Sequence, residues 1–216
     1  MAIFVIKQHN DVVRTGGYSV ADGMTTLAIA DLTNTGADTM FNVAINGYGR
    51  IGRNVLRALY ERPELNGKIQ VVAINDLGAA EMNVHLTQFD TTHGRFNQPV
   101  SVDEDHLIIG SDRIRMLSER DPKQLPWEQL SVDIVFECTG LFTDREAARR
   151  HIAAGAKRVL VSAPGQHMDA TIVYGINHTT LTEVDVIVSN ASCTTNCLAP
   201  IAKALNDSIG IEQGLM

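Results

Sequence analysis

From Phe41 onward the apolar positions fall into short runs of two kinds. FNVAIN (41–46) and IQVVAIND (69–76) are almost continuously apolar, whereas RIGRNVLRALYE between them places Ile51, Val55, Ala58 and Leu59 on one helical face. Continuous rather than alternating hydrophobicity marks strands covered on both sides, so this stretch predicts a strand, a glycine-rich loop, a helix and a second, parallel strand. The theme returns in DIVFECTG (133–140), the helical TDREAARRHIAAG (143–155) and RVLVSAP (158–164). IVYGIN (172–177) and VIVSNAS (186–192) read as two further short buried strands. Residues 100–118 alternate instead, with a turn signal at Gly110-Ser111-Asp112, and predict an antiparallel hairpin. This order of elements predicts a doubly wound α/β sheet whose ligands lie beyond the carboxyl ends of the strands. Gly47, Thr139, Ser162 and Cys193 all fall at or just past such ends. Residues 1–40 show no sustained period and read either as a small strand-and-turn appendage or as a disordered stretch, in both cases without chemistry of their own.

Composition narrows the partners. The 216 residues are 44% hydrophobic and 20% charged, which is the make-up of a folded globular chain. Eighteen basic against 25 acidic residues leave a net charge of −7, so a nucleic-acid partner is not expected. No apolar run approaches the roughly 20 residues of a membrane span, and MAIFVIKQHND is charged too early for a signal peptide, so no membrane partner is expected. Cys138, Cys193 and Cys197 are an odd number and too few for a disulfide framework. A reducing, cytoplasmic location is the expectation.

Two segments carry candidate chemistry. Gly47-Tyr48-Gly49-Arg50-Ile51-Gly52 is a complete G-x-G-x-x-G between a predicted strand and a predicted helix. Gly47 permits the tight turn, Gly49 the close approach of a pyrophosphate, and Gly52 the packing of helix on strand. The next strand ends in Asp76, near the spacing at which a carboxylate reaches the ribose hydroxyls of NAD and repels the 2′-phosphate of NADP. A glycine turn that binds nothing, with a solvated Asp76, is the alternative. In SNASCTTNCLAPIAKAL a strand runs into a helix with Cys193 at the junction, where the positive end of the helix dipole favours a thiolate. Locally, Cys193 is as well read as a small packing residue as a nucleophile; the dinucleotide fingerprint upstream tilts the reading toward a nucleophile. Cys197, one turn further on, reads as a packing residue. The C-x-x-x-C spacing alone supplies too few ligands for zinc, so no metal is expected. Pro200 inside the predicted helix costs about 3 kcal/mol unless the helix bends or starts later. None of the seven histidines is an obvious base for the thiol; His151 sits in the charged helix beside Arg149 and Arg150.

The segments INGYGRIGRNVLRAL, AINDL, FDTTHGRF, ERDPKQLPW, ECTGLFT, AAGAKRVLVSAP and SNASCTTNCLAPIAKAL closely resemble the phosphorylating, NAD-dependent glyceraldehyde-3-phosphate dehydrogenase family over residues 41–216. The resemblance implies a Rossmann-type doubly wound parallel sheet followed by only the beginning of an α+β catalytic domain. It divides the chain into an N-terminal extension (1–40), an NAD-binding domain (41–190) and the start of a catalytic domain (191–216). It implies oxidation of glyceraldehyde 3-phosphate through a thiohemiacetal and a thioester on Cys193, the thioester being cleaved by inorganic phosphate. Ser192 and Thr194 match residues that help bind substrate or phosphate. Arg50 and Ile51 match the pyrophosphate cradle, Asp76 the ribose ligand, Arg120 an adenine-side contact, and Thr139 and Ser162 contacts nearer the nicotinamide ribose. A homotetramer is implied for the full-length enzyme.

Two departures shape the expectation. Family members continue past GLM into a strand with the catalytic histidine and a domain with a phosphate-binding arginine, so this chain is expected to bind NAD but turn over poorly. Family members also begin close to the first strand, which makes Met40 the natural start. The erythrose-4-phosphate dehydrogenases resemble the chain too, notably at VYGIN, but CLAPIAKAL, GIEQGLM and the SAP of 162–164 favour the glyceraldehyde-3-phosphate enzymes.

Overall fold

A computed structural model describes residues 3–6 and 40–216. The rest of the expected 1–40 extension lies outside the described residues. In chain order the elements are β1 (Ile3–Ile6), β2 (Phe41–Asn46), α1 (Arg50–Tyr60), β3 (Ile69–Asn75), α2 (Ala80–Gln88), β4 (Phe89–Asp90), β5 (Gly94–Arg95), β6 (Val100–Asp103), β7 (His106–Ile109) and β8 (Asp112–Leu117). They continue with β9 (Ile134–Glu137), α3 (Arg145–Ala153), β10 (Arg158–Val161), β11 (Ala170–Thr171), β12 (Ile187–Ser189), α4 (Cys193–Ile209) and β13 (Ile211–Leu215).

Nine strands form one sheet in the order β11, β12, β10, β9, β2, β3, β8, β7, β6. From β11 to β8 neighbours are parallel, and β8, β7 and β6 are antiparallel. The Rossmann-type α/β architecture is therefore present. Alternate residues of the central strands feed two cores. Val43, Ile45, Ile74, Ile134 and Phe136 pack with Val55, Leu56 and Leu59 of α1 on one face. Ala44, Ala73 and Val135 pack with Leu125, Trp127 and Val132 on the other, where two alanines in the strands leave room for the indole. Burying a Leu- or Phe-sized side chain contributes about 1.5–3 kcal/mol, so both faces of β2 and β9 are anchored.

The structure departs from the sequence reading in several places. Of the expected stripe of α1, Val55 and Leu59 are buried and Ile51 packs against the core, while Leu56 and Arg57 are buried in addition; the Arg57 guanidinium donates to the carbonyls of His93 and Gly94 and lies over the Phe96 ring. Residues 100–117 are three strands rather than one hairpin; a second turn at Glu104, with φ +52°, lacks the glycine that would announce it. The last of them, β8, also pairs in parallel with β3. Residues 172–177, expected as a strand, form a turn: the Asn177 side-chain oxygen accepts from the Val173 amide, the Val173 carbonyl accepts from Ile176, and Gly175 takes φ +81°. Ile172 and Val173 are buried there, so the apolar run reports burial rather than pleat. The segments α2, β4 and β5 escaped the sequence reading because α2 buries Asn83 and Thr87 instead of an apolar stripe. Helix α4 begins at Cys193 and runs through Pro200. Lacking an N–H, Pro200 leaves the Asn196 carbonyl without its α-helical donor. Among the described residues no helix is long and apolar enough to cross a membrane.

Candidate coenzyme and thiol site

Strand β2 has β3 on one side and β9 on the other, so the chain reverses its winding direction at β2 and opens a crevice at the carboxyl ends of β2 and β9. The three glycines meet different surroundings there. At Gly47, φ is +89° and a Cβ would stand 2.6 Å from the Thr139 amide nitrogen. At Gly52 a Cβ would lie 2.2 Å from the Gly47 carbonyl oxygen. At Gly49 a Cβ would meet nothing within 4 Å, so the N-terminus of α1 opens onto free space. That helix has no side-chain cap and no acidic residue in its first turn, which leaves the amides around Arg50, Ile51 and Gly52 available to an anion.

The Asp76 carboxylate accepts from the amides of Tyr48 and Gly78, each at 2.8 Å, and so ties the end of β3 to the glycine loop. A cavity of about 380 Å³ runs from Asp76 past Gly49 to Thr139, with Arg120, Leu141 and Phe142 on its walls. Gly47, Gly49, Asp76, Arg120 and Thr139 are thus brought together, and Arg50, Ile51 and Gly52 form the adjoining helix turn. Ser162, just past β10, is not on the cavity wall; its amide donates to the Glu137 carbonyl and its side chain hydrogen-bonds Cys138. Burial pushes the Cys138 thiol up. Open glycine cradle, uncapped helix and carboxylate together fit a dinucleotide.

Asn46 and Asn75, which also line this cavity, belong to a polar layer that sequence reasoning missed. The side chains of Asn75, Asn46 and Glu137 stand at one level across β3, β2 and β9. Asn75 Nδ2 donates to Asn46 Oδ1 at 2.7 Å, and Asn46 Nδ2 donates to Glu137 Oε2 at 2.6 Å. Asn75 also exchanges hydrogen bonds with the backbone of Glu119, next to Arg120. His151 lies in the charged helix α3, as expected, but on its buried side: its Nε2 lies 2.9 Å from Glu137 Oε2, and its Nδ1 accepts from Trp127 Nε1. Glu137 Oε1 accepts from both the amide and the hydroxyl of Thr139. Polar residues ending three otherwise apolar strands were the available signal.

Cys193 is the first residue of α4 and is exposed, as is Cys197, so neither is a core-packing residue. Ser192 caps this helix, its Oγ accepting from the Thr195 amide at 2.9 Å, and Thr194 is exposed. The strand-to-helix turn is tight: Ala191 adopts φ +56°, and Asn196 Nδ2 donates to the carbonyls of Asn190 and Ser192. Cys193 shares the carboxyl edge of the sheet with the crevice but stands beyond β12, two strands from β9.

Comparison with known proteins bears on this geometry. Residues 41–145 match the family profile "Glyceraldehyde 3-phosphate dehydrogenase, NAD binding domain", and residues 192–216 match "Glyceraldehyde 3-phosphate dehydrogenase, C-terminal domain". The chromosomal glyceraldehyde-3-phosphate dehydrogenase of Cupriavidus necator is 59% identical over 175 residues, covering 81% of this chain and 52% of the relative. The enzyme of the same name from Xanthobacter flavus is 58% identical over 174 residues, 81% of this chain and 51% of the relative. That of Pseudomonas aeruginosa is 57% identical over 174 residues, 81% of this chain and 52% of the relative. The chain therefore spans about half the length of the curated relatives it matches. With an NAD-binding crevice whose fingerprint and following strands carry the family's sequence, and a cysteine segment that matches its second domain, the chain belongs to the glyceraldehyde-3-phosphate dehydrogenase family.

Proposed function

We propose that the protein carrying this chain oxidises and phosphorylates glyceraldehyde 3-phosphate to 1,3-bisphosphoglycerate, with Cys193 as nucleophile. The observation that carries this reading is the placement, on one edge of one sheet, of an open glycine cradle, a carboxylate at the next strand end and an exposed thiol at a helix start. NAD supplies the hydride acceptor at its nicotinamide ring. Asp76 holds the adenosine ribose, the first-turn amides at Arg50 and Ile51 hold the pyrophosphate, and Arg120 lies on the adenine side. Thr139 and Ser162 serve the nicotinamide half. The Cys193 thiolate adds to the aldehyde carbon to give the thiohemiacetal as its alkoxide, and departure of the carbon-bound hydrogen as hydride, for which the coenzyme would be the acceptor, closes the C=O of a thioester with no proton left over. A phosphate oxygen then attacks the thioester carbon, giving the acyl phosphate and restoring the thiolate, with Ser192 and Thr194 holding substrate or phosphate. The domain division at 40/41 and 190/191 follows the same reading, as do assembly of the whole protein as a homotetramer and a cytoplasmic location that keeps the thiol reduced. Relatives named for glyceraldehyde 3-phosphate favour that substrate over erythrose 4-phosphate.

Two measurements test the proposal. Calorimetric titration of the chain with NAD is expected to show saturable binding that Asp76→Ala weakens by about tenfold, as loss of a charge-assisted hydrogen bond would; no saturable binding overturns the coenzyme site. In the protein that carries this chain, alkylating Cys193 with iodoacetate is expected to stop aldehyde-dependent NADH formation. An unchanged rate removes Cys193 from the mechanism, and a higher kcat/KM for erythrose 4-phosphate replaces the substrate.

A further inference from the structure

The polar layer at the crevice holds a buried carboxyl group, Glu137, that the proposed reaction does not use. Trp127 Nε1 is a donor only, so His151 Nδ1, which accepts from it, carries no proton. The single ring proton is then on Nε2, the ring is neutral, and Nε2–H donates to Glu137 Oε2. Glu137 Oε2 also accepts from Asn46 Nδ2, while Oε1 accepts from the Thr139 amide and hydroxyl. Four donors converge on this buried carboxyl group, and among the described residues the groups contacting its oxygens are all neutral donors. An ionised carboxylate, which only accepts, satisfies all four of these contacts at a side chain 1% exposed.

Its place relative to a dinucleotide follows from the winding of the sheet. A dinucleotide straddles the switch point, one nucleotide over each half. Asp76 puts the adenosine half over β3, so the other half lies over β9 and β10, on the side of Cys193. Glu137 ends β9, and Thr139, which it holds by two hydrogen bonds, lines the cavity there. A nicotinamide ring is cationic when oxidised and neutral when reduced. A buried anion under that half therefore attracts one form and not the other.

Resting on the coenzyme reading above, we propose that Glu137 is held ionised by the geometry Trp127–His151–Glu137–Thr139 and is a specificity-determining residue whose negative charge biases the crevice toward the oxidised coenzyme. The layer thus does more than hold the strand ends together. Unit charges roughly 10 Å apart at an effective dielectric constant of about 20 alter a binding constant by about tenfold. Loss of packing alone would weaken both redox forms alike.

The test is the ratio of NAD+ to NADH affinity, measured by calorimetry on the chain and its variants. Glu137→Gln is expected to lower that ratio by about tenfold, Glu137→Asp to retain it, and the double variant N46D/E137Q, which moves the anion one hydrogen bond along the layer, to restore it. Equal weakening of both forms by Glu137→Gln overturns the proposal while leaving the coenzyme site intact. Failure of the unaltered chain to bind either form overturns the coenzyme reading itself. Where Glu137→Gln does not fold, the ¹³C shift of the Glu137 carboxyl group in the unaltered chain decides: an ionised value in neutral buffer supports the proposal, and a protonated value overturns it.

Discussion

The three glycines of the fingerprint show how one residue type serves separable ends. Gly52 and Gly47 are required by neighbouring backbone, which cannot move aside for a methyl group at 2.2 and 2.6 Å. Gly49 faces open space and is required only by what enters it. Gly52→Ala is accordingly expected to lower stability by about 1–3 kcal/mol, as overpacking does, read from denaturant midpoints. Gly49→Ala is expected to leave the midpoint nearly unchanged and to weaken NAD binding by titration; equal loss of stability in both variants would refute the division. These glycines and Asp76 were legible in the sequence because each acts through its own backbone or through a carboxylate at a strand end. Glu137 and His151 were not, because Asn46 lies 91 residues from the Glu137 it touches and no local period marks that meeting.

Among the elements, the turn of the β4–β5 hairpin is held by the Asp90 carboxylate. Asp90 Oδ1 accepts from the amides of His93 and Thr92 at 2.9 and 2.8 Å, and these backbone hydrogen bonds hold its pKa down at about 2. The unfolded value is near 3.8, so the stabilisation is fully present above that pH and is lost as pH falls through about 2. Amide exchange at Thr92 and His93 is expected to accelerate across that window in the unaltered chain. In Asp90→Asn it is expected to be fast already at neutral pH; an exchange rate that ignores both pH and substitution would remove Asp90 from the turn. The hairpin is also where the buried Arg57 of α1 docks, through the carbonyls of His93 and Gly94. Element by element, the sequence disclosed strands that are apolar throughout and helices with an apolar stripe. It misjudged 172–177, where an Asn side chain and a left-handed glycine turn an apolar run aside, and it passed over α2, whose buried residues are polar.

Over the whole molecule, stability is unevenly spread. Strands β2, β3 and β9 are packed on both faces, whereas only Asn196 is buried along α4. Hydrogen exchange is expected to show protection over β2, β3 and β9 at least about 100-fold above that of α4 beyond Asn196, since local opening follows buried apolar contact. Comparable protection would mean that α4 is held by more than its own turns. What the sequence determined by itself was the alternation of strand and helix, the glycine cradle and the cysteine at a strand-to-helix junction, since these are written in neighbouring residues and in backbone freedom. Tertiary structure alone decided which strands lie side by side and therefore which buried polar groups meet. Hydrogen bonds and the burial of charge depend on distances in space, and a chain folded about a switch point brings together residues that its order keeps far apart.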